Sequence, residues 1–164
     1  MDASSFTSAQ MNTLRKAFRA MNSFMVVMWK IGLGKMINIW PKGIGRIMVI
    51  KHRGRKTGKE RLTPVNYAIV NHEIHCTAGF GSISDWYRNM LANPNGELWL
   101  PDGKRKACAE DISGAPNRLF LLRQVIITSG FAGPLFGINQ GKLTDEQLNT
   151  VSKDYRLIHF TLEK

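Results

Sequence analysis

The apolar residues near the start of the chain recur at the spacing of a helix. They are separated alternately by four and three positions, with polar or basic residues between them: Leu14, Phe18, Met21, Met25 and Met28. Because positions three and four apart share one face of an α-helix, the pattern predicts an amphipathic helix over about residues 10–30. Its Met-rich face has two open interpretations, which are packing on the domain and contact with a membrane or a lipophilic substrate.

Beyond this helix, short β-rich runs alternate with turn-forming residues. The predicted strands are residues 46–52, 63–70, 72–77, 97–100, 104–110 and 156–162. Pro101, Asp102 and Gly103 predict a hairpin turn between two of them. Short helices are predicted over residues 84–92 and 117–128, and another begins at Thr144 with the spacing of a capping box. Five or six short strands with peripheral helices predict a mainly β (α+β) fold, a small barrel forming a single domain over residues 1–164.

Residues 124–141 contain no charged side chain. The stretch could barely cross a bilayer, and its glycines and Pro134 disfavour one spanning helix. We therefore predict a lid over an apolar pocket or a surface that dips into lipid. The first five residues lack the basic start and apolar stretch of a secretory signal. A cytoplasmic location is expected, with peripheral membrane contact left open.

Composition adds a strong positive charge to this picture. There are 23 Lys and Arg residues against 12 Asp and Glu, a formal charge of +11, which favours nucleic acid, an anionic membrane or a phosphorylated cofactor as partner. Six of the cations fall within eleven residues: Lys51, Arg53, Arg55, Lys56, Lys59 and Arg61. Such clustering indicates one anion site, and the lack of interleaved aromatic residues makes nucleic acid the least favoured partner.

The cysteines and histidines predict no site. Cys76 and Cys108 are too few for a disulfide framework and lie in apolar, strand-like runs, so both are predicted to be buried, reduced thiols. His72 and His75 are three apart on a predicted strand, and such side chains point to opposite faces. They do not converge with Cys76 on a metal ion, and no metal site is predicted.

Residues 54–61 are predicted to bind an anion. Gly54 and Gly58 let the backbone turn and expose amide donors, while the cations between and after them suit phosphate oxygens. The segment is not a Walker A loop, because it lacks the Gly-Lys-Ser/Thr ending and no helix follows. A solvated basic hairpin is the alternative, and the segment alone does not identify the anion.

Further motifs follow this segment in order. They are Arg61, Pro64 and Tyr67, then the loop Gly79, Phe80 and Gly81, then Asp85, Trp86, Tyr87, Arg88 and Asn89, and then Ala92, Asn93 and Pro94. Over about residues 10–111 the combination resembles the deazaflavin-dependent nitroreductase family. The resemblance implies a split β-barrel of the FMN-binding-like kind that uses the deazaflavin coenzyme F420. It also implies an enzyme that transfers a hydride from reduced F420 to a quinone, enone or nitro compound.

The resemblance also implies roles for individual residues. The implied cofactor contacts are Arg55, Lys56, Thr57 and Arg61 on the phosphate side, Thr63, Pro64 and Val65 along the ring, the loop Gly79, Phe80 and Gly81, and Trp86 and Asn89 on the following helix. The substrate pocket is expected at Asn66, Tyr67 and Tyr155. No catalytic acid or base is predicted, and a homodimer is one expected assembly.

The sequence departs from the family in two respects. Residues 78–84 contain no cation, whereas classical members place a lysine in this loop, so FMN stays open as an alternative cofactor. The C-terminal half lacks the tyrosine group that lines the substrate pocket in some relatives. A second class of function is therefore retained, a non-catalytic barrel that binds FMN, haem or lipid.

Overall fold

Six antiparallel strands close into a barrel in the computed structural model, which describes residues 20–38, 45–130 and 143–163. The strands are β1 (Ile47–Arg53), β2 (Glu60–Val70), β3 (Glu73–Ala78), β4 (Asn95–Leu100), β5 (Gly103–Asp111) and β6 (Arg156–Leu162). Their order around the barrel is β1-β2-β3-β6-β5-β4. The last strand thus lies between β3 and β5, and β4 pairs back with β1.

Alternate residues of each strand fill the barrel interior. The largest fully buried side chains include Met48 and Ile50 from β1, Leu98 from β4, and Phe160 from β6. Because side chains on a strand point alternately to its two faces, the intervening positions face outwards. Helices cover part of that outer surface.

Five α-helices and one short 3-10 helix (Gly81–Ile83) surround the barrel in the described part of the chain. The α-helices are α1 (residues 20–30), α2 (Gly34–Ile37), α3 (Asp85–Ala92), α4 (Arg118–Ile127) and α5 (Asp145–Val151). Met25 of α1 packs on Ile47 of β1, and α4 packs on β2 and β6 through residues that include Ala68 and Leu157. Thr144 and Gln147 form the predicted capping box at the start of α5. The parts of the predicted segments at residues 10–19 and 131–141 lie outside the described residues.

The barrel with peripheral helices confirms the predicted fold class, but two local predictions were wrong. His72 does not belong to the third strand. Asn71 and His72 form the turn after β2 with φ values of 53° and 67°, so β3 begins at Glu73. Cys108 is exposed, whereas Cys76 is buried as predicted. Both neighbours of Cys108 on β5, Ala107 and Ala109, face the core, so the alternation turns its thiol outwards.

Acid is expected to destabilise the fold in part through His75. This residue is buried on β3, and its ring stacks on His159 with the centroids 5.2 Å apart. Burial lowers the pKa of His75 and the charge of His159 adds to this, while Glu73 acts in the opposite direction. Because the pKa of His75 in the folded state lies below its value in the unfolded chain, the native state binds fewer protons. Stability therefore falls as the pH drops below the ordinary histidine pKa of 6.5.

Urea unfolding of a His75→Gln variant at about pH 7.5 and about pH 5.5 measures this contribution. The variant is expected to lose less of its free energy of unfolding between the two pH values than the wild type loses. A His72→Asn variant is the control, because His72 is exposed in the turn. An unchanged pH dependence in the His75 variant would contradict the assignment.

Candidate functional site

The turn between β1 and β2 is tight and glycine-dependent. The amides of Thr57 and Gly58 donate to the Gly54 carbonyl at 3.2 and 2.8 Å, and the Gly54 amide donates to the Lys59 carbonyl at 2.9 Å. Gly58 adopts a φ of +64°, which favours glycine. A Cβ at Gly54 would lie 2.9 Å from Nε of Arg61 and 3.0 Å from Oγ1 of Thr57. The side chain of Arg61 therefore lies across the turn, in space that any larger residue at Gly54 would take.

A cavity of about 210 Å³ lies between this turn and α3. Its lining consists of Gly54, Arg55, Lys56, Thr57, Arg61, Asp85 and Asn89. Three cations and one carboxylate thus face a small space that backbone and side-chain donors border. This arrangement favours an anionic ligand group.

Asn89 and Asp85 of α3 fix Arg55 in place. The backbone amide and Nη1 of Arg55 both donate to Oδ1 of Asn89, at 3.1 and 2.9 Å. Nη2 of Arg55 pairs with Oδ1 of Asp85 at 3.0 Å, and Nη1 also approaches the Asp85 carbonyl at 3.4 Å. Asp85 and Asn89 are four residues apart, so one helix face presents both. Arg55 thereby joins the turn to α3, and part of its charge is neutralised.

Lys56 and Arg61 are arranged differently. Both side chains line the cavity and both residues are exposed. Within the described ranges, neither forms an ion pair with an acidic residue, unlike Arg55. Their charges are consequently available to a ligand, while Arg55 holds the shape of the site.

The interior end of the barrel behind the cavity contains a buried histidine. His52 is 3% exposed and occupies an inward position in the series Met48, Ile50 and His52. Its Nε2 lies 3.0 Å from Oγ1 of Thr63, and its Nδ1 lies 3.5 Å from Nδ2 of Asn89. Burial lowers the pKa of His52, a backbone hydrogen bond with Arg53 opposes this, and the nearby charge of Arg61 lowers it further. Sequence analysis missed His52, although a polar residue in an inward strand position was the available signal.

A short hydrogen bond anchors α3 to the barrel. The hydroxyl of Tyr87 donates to Oδ2 of Asp111 on β5 at 2.5 Å. Burial first, and then the hydrogen bond to Asp111, raise the pKa of Tyr87 to about 12. Burial alone would raise the pKa of Asp111, but hydrogen bonds from Ser113 and Tyr87 bring it below its usual value. Tyr87 therefore stays protonated at neutral pH and holds the helix that carries Asp85 and Asn89.

The structure brings only part of the predicted site together around the cavity. The predicted residues that line it are Arg55, Lys56, Thr57, Arg61 and Asn89. Thr63 lies behind the cavity through its contact with His52. Pro64 is buried, Val65 lies in the core, and Trp86 is half-buried against the same core cluster.

The remaining predicted residues lie apart from the cavity. Gly79 lies 3.9 Å, measured from its would-be Cβ, from Cζ of Tyr155, and Gly81 packs on the backbone of Asp154. Phe80, between them, is half-buried.

The three residues expected in a substrate pocket make different contacts. Tyr67 is buried in the core, where burial raises its pKa. Tyr155 packs against residues of α4 and α5, and Nδ2 of Asn66 donates to the Arg46 carbonyl at 3.2 Å. None of the three lines the cavity between the turn and α3.

The profile of a family described as F420H(2)-dependent quinone reductase matches residues 24–132. No curated protein matches the chain. Among solved structures, an F420-H2 dependent reductase named FDR-A aligns with a TM-score of 0.50 and 19% identity over 72% of this chain and 94% of that chain.

Two further structures share the barrel. HutZ, a heme storage protein from Vibrio cholerae, aligns with a TM-score of 0.51 and 12% identity over 79% of this chain and 89% of its own. A candidate 5-nitroimidazole antibiotic resistance protein from Bacteroides thetaiotaomicron gives a TM-score of 0.52 and 9% identity over 73% of this chain and 74% of its own. At such identities the likeness shows the fold alone, and the predicted split β-barrel is confirmed.

Proposed function

The chain belongs to the F420H(2)-dependent quinone reductase family, and we propose that its coenzyme binds with the anionic tail in the cavity between residues 54–61 and α3. As a member of this family it is an enzyme that uses reduced F420 to reduce an electrophilic acceptor. The deazaflavin supplies the hydride when it is bound. The residues of the chain bind the coenzyme, orient it and exclude water.

The observation that carries this proposal is that the three cations differ in their partners. Asn89 and Asp85 hold Arg55, whereas Lys56 and Arg61 face the cavity without an acidic partner among the residues described. Phosphate and carboxylate groups on a coenzyme tail match such cations and the amide-rich turn. The absence of a side chain at Gly54 leaves room for this contact, because a Cβ there would crowd Arg61.

The ring side of the coenzyme is proposed to follow β2 away from the cavity. Thr63, Pro64 and Val65 continue the strand from Arg61, and a flat ring system needs such an apolar, regular surface. The loop at residues 79–81 and Trp86 are proposed to close the same side. The proposed role of the chain here is positioning, since no side chain is assigned as a proton donor or acceptor.

We propose a lipophilic quinone, reached at the cytoplasmic face of a membrane, as the acceptor. Phe24, Val27 and Ile31 are large apolar side chains exposed along α1 and just beyond it, and Lys30 and Lys35 are exposed nearby. Exposed apolar residues flanked by cations suit peripheral contact with anionic lipid. No helix in the described part of the chain combines the length and apolar character needed to cross a membrane.

Titration of the purified protein with F420 and, separately, with FMN tests the proposed site. Fluorescence or heat reports binding, and oxidation of reduced F420 by an added quinone reports turnover. We expect tighter binding of F420 than of FMN and oxidation that depends on the protein. Equal and negligible binding of both cofactors would contradict the proposed site, and binding without turnover would indicate a non-catalytic binder.

A further inference from the structure

Five residues form a continuous polar chain from the barrel interior to the surface turn. Thr63 of β2 contacts His52 of β1, which contacts Asn89 of α3, which holds Arg55 of the turn, which pairs with Asp85. His52 and Asn89, at the centre, are each 3% exposed. Buried polar groups of this kind require matched donors and acceptors, because an unmatched pair carries the full cost of desolvation.

The side-chain contacts of His52 assign its tautomer, and a backbone hydrogen bond with Arg53, which favours the protonated ring, is the competing interaction. Oδ1 of Asn89 accepts two N–H groups from Arg55, at 3.1 and 2.9 Å, so the amide nitrogen of Asn89 must face His52. That nitrogen is a donor, and Nδ1 of His52, 3.5 Å away, must accept. The proton of the neutral imidazole therefore lies on Nε2, which donates to Oγ1 of Thr63 at 3.0 Å.

The tautomer of His52 also determines the hydrogen-bond role of the Thr63 hydroxyl. Since its oxygen accepts from His52, its own hydroxyl hydrogen points elsewhere. Thr63 shares the inward face of β2 with Arg61, two residues earlier, which lines the cavity. The hydroxyl is thus left to donate behind the anion site, on the same strand face as Arg61.

We propose that His52 is a positioning residue of the cofactor site, which as the neutral Nε2–H tautomer holds Arg55 through Asn89 and makes Thr63 a hydrogen-bond donor to the bound coenzyme. The group that Thr63 recognises is an acceptor oxygen or nitrogen of that coenzyme. This inference rests on the proposed cofactor site. A proton added at Nδ1 would set two donors against each other, and Asn89 would have to turn its oxygen away from Arg55.

The charges around His52 favour its neutral form. Arg61 lies directly opposite on β2, and Arg55 of the turn lies beyond Asn89. On α3 the carboxylate of Asp85 is paired with Arg55, and on β4 Glu97 accepts a hydrogen bond on its own strand. Burial is the main cause that lowers the pKa of His52, the charge of Arg61 adds to it, and a backbone hydrogen bond with Arg53 opposes it. Acid is expected to weaken coenzyme binding as His52 becomes protonated.

The tautomer is measured in the free protein, so this part of the test needs no coenzyme and no variant. A long-range ¹H–¹⁵N correlation spectrum at about pH 7.5 is expected to show His52 protonated at Nε2 alone. Protonation at Nδ1 would overturn the proposal. If the tautomer is Nε2–H and the wild type nevertheless fails to bind F420, the proposed cofactor site fails and the hydrogen-bond assignment stands.

Variants then divide the two roles of His52. His52→Gln keeps a donor towards Thr63, whereas His52→Asn keeps an acceptor towards Asn89. Each is expected to weaken F420 binding roughly fivefold, as is Thr63→Val, while Thr63→Ser restores the hydroxyl and binds like the wild type. The affinity of the wild type is expected to fall further on acidification than that of His52→Gln.

His72→Asn, which removes an exposed histidine from the β2–β3 turn, is the control for these variants. It should keep both the affinity and its pH dependence. Folded His52 variants that bind F420 with wild-type affinity and wild-type pH dependence would overturn the proposal.

Discussion

Replacing both Lys56 and Arg61 by alanine is expected to weaken F420 binding roughly a hundredfold or more, since each hydrogen bond to a charged group contributes about 1.5–3 kcal/mol. Both side chains line the cavity and form no ion pair with any residue in the described ranges. Their removal therefore leaves no unpaired protein carboxylate, and the loss falls on the ligand contacts. Fluorescence titration of the double variant, at low and high salt, measures the effect.

Arg53→Ala combined with Lys59→Ala provides the matched control. These two cations lie in the same hairpin but do not line the cavity, so the control removes the same net charge from the same region. Only a modest loss of affinity is expected, and it should shrink as salt screens the field. Equal losses in the two double variants would mean that the net positive charge of the hairpin, and not specific contacts in the cavity, binds the coenzyme.

Gly81→Ala is expected to lower the free energy of unfolding by about 3 kcal/mol or more. Gly81 has a φ of +59°, and a Cβ there would lie 2.2 Å from the carbonyl oxygen of Asp154. The clash is with backbone, so no side-chain rotation relieves it. The loop at residues 79–84 would have to move away from the turn before β6, and α3 begins directly after this loop. Urea unfolding measures the loss.

A Gly58→Ala variant separates the cost of the positive φ from the cost of the clash with Asp154. Gly58 also has a positive φ, +64°, but nothing lies within 4 Å of its would-be Cβ. The conformational cost alone should be about 1–2 kcal/mol. If both variants are destabilised equally, the close approach of Gly81 to Asp154 does not contribute to stability.

Local sequence patterns predicted the elements well and their assembly poorly. Apolar alternation with a period of two located all six strands, because one face of each must be buried. Pairing of β6 with β3 depends on contacts between distant segments, which the alternation does not encode. The error at Cys108 has the same origin, since its neighbours in the sequence are small or apolar and leave open which positions of β5 face the core.

The part of the site that is local in sequence could also be predicted, and the part that depends on distant contacts could not. Gly54, Gly58 and the cations between them are close together in the sequence, so a turn that binds an anion could be predicted from them. The pairing of Arg55 with Asp85 and Asn89 spans 30 and 34 residues. The contact between His52 and Asn89 exists because α3 packs on the end of the barrel. It could not be predicted from the strand that contains His52.

The strand order also constrains how the protein is made. During synthesis, residues 47–111, which contain five of the six strands, emerge before β6, and β3 and β5 then present unpaired edges. Among the described strands, only β6 joins these two, so the nascent chain carries two open edges until residue 162 has left the ribosome. Unpaired strand edges recruit other chains. Chaperone demand and the yield of intact protein should therefore depend on how quickly translation delivers β6.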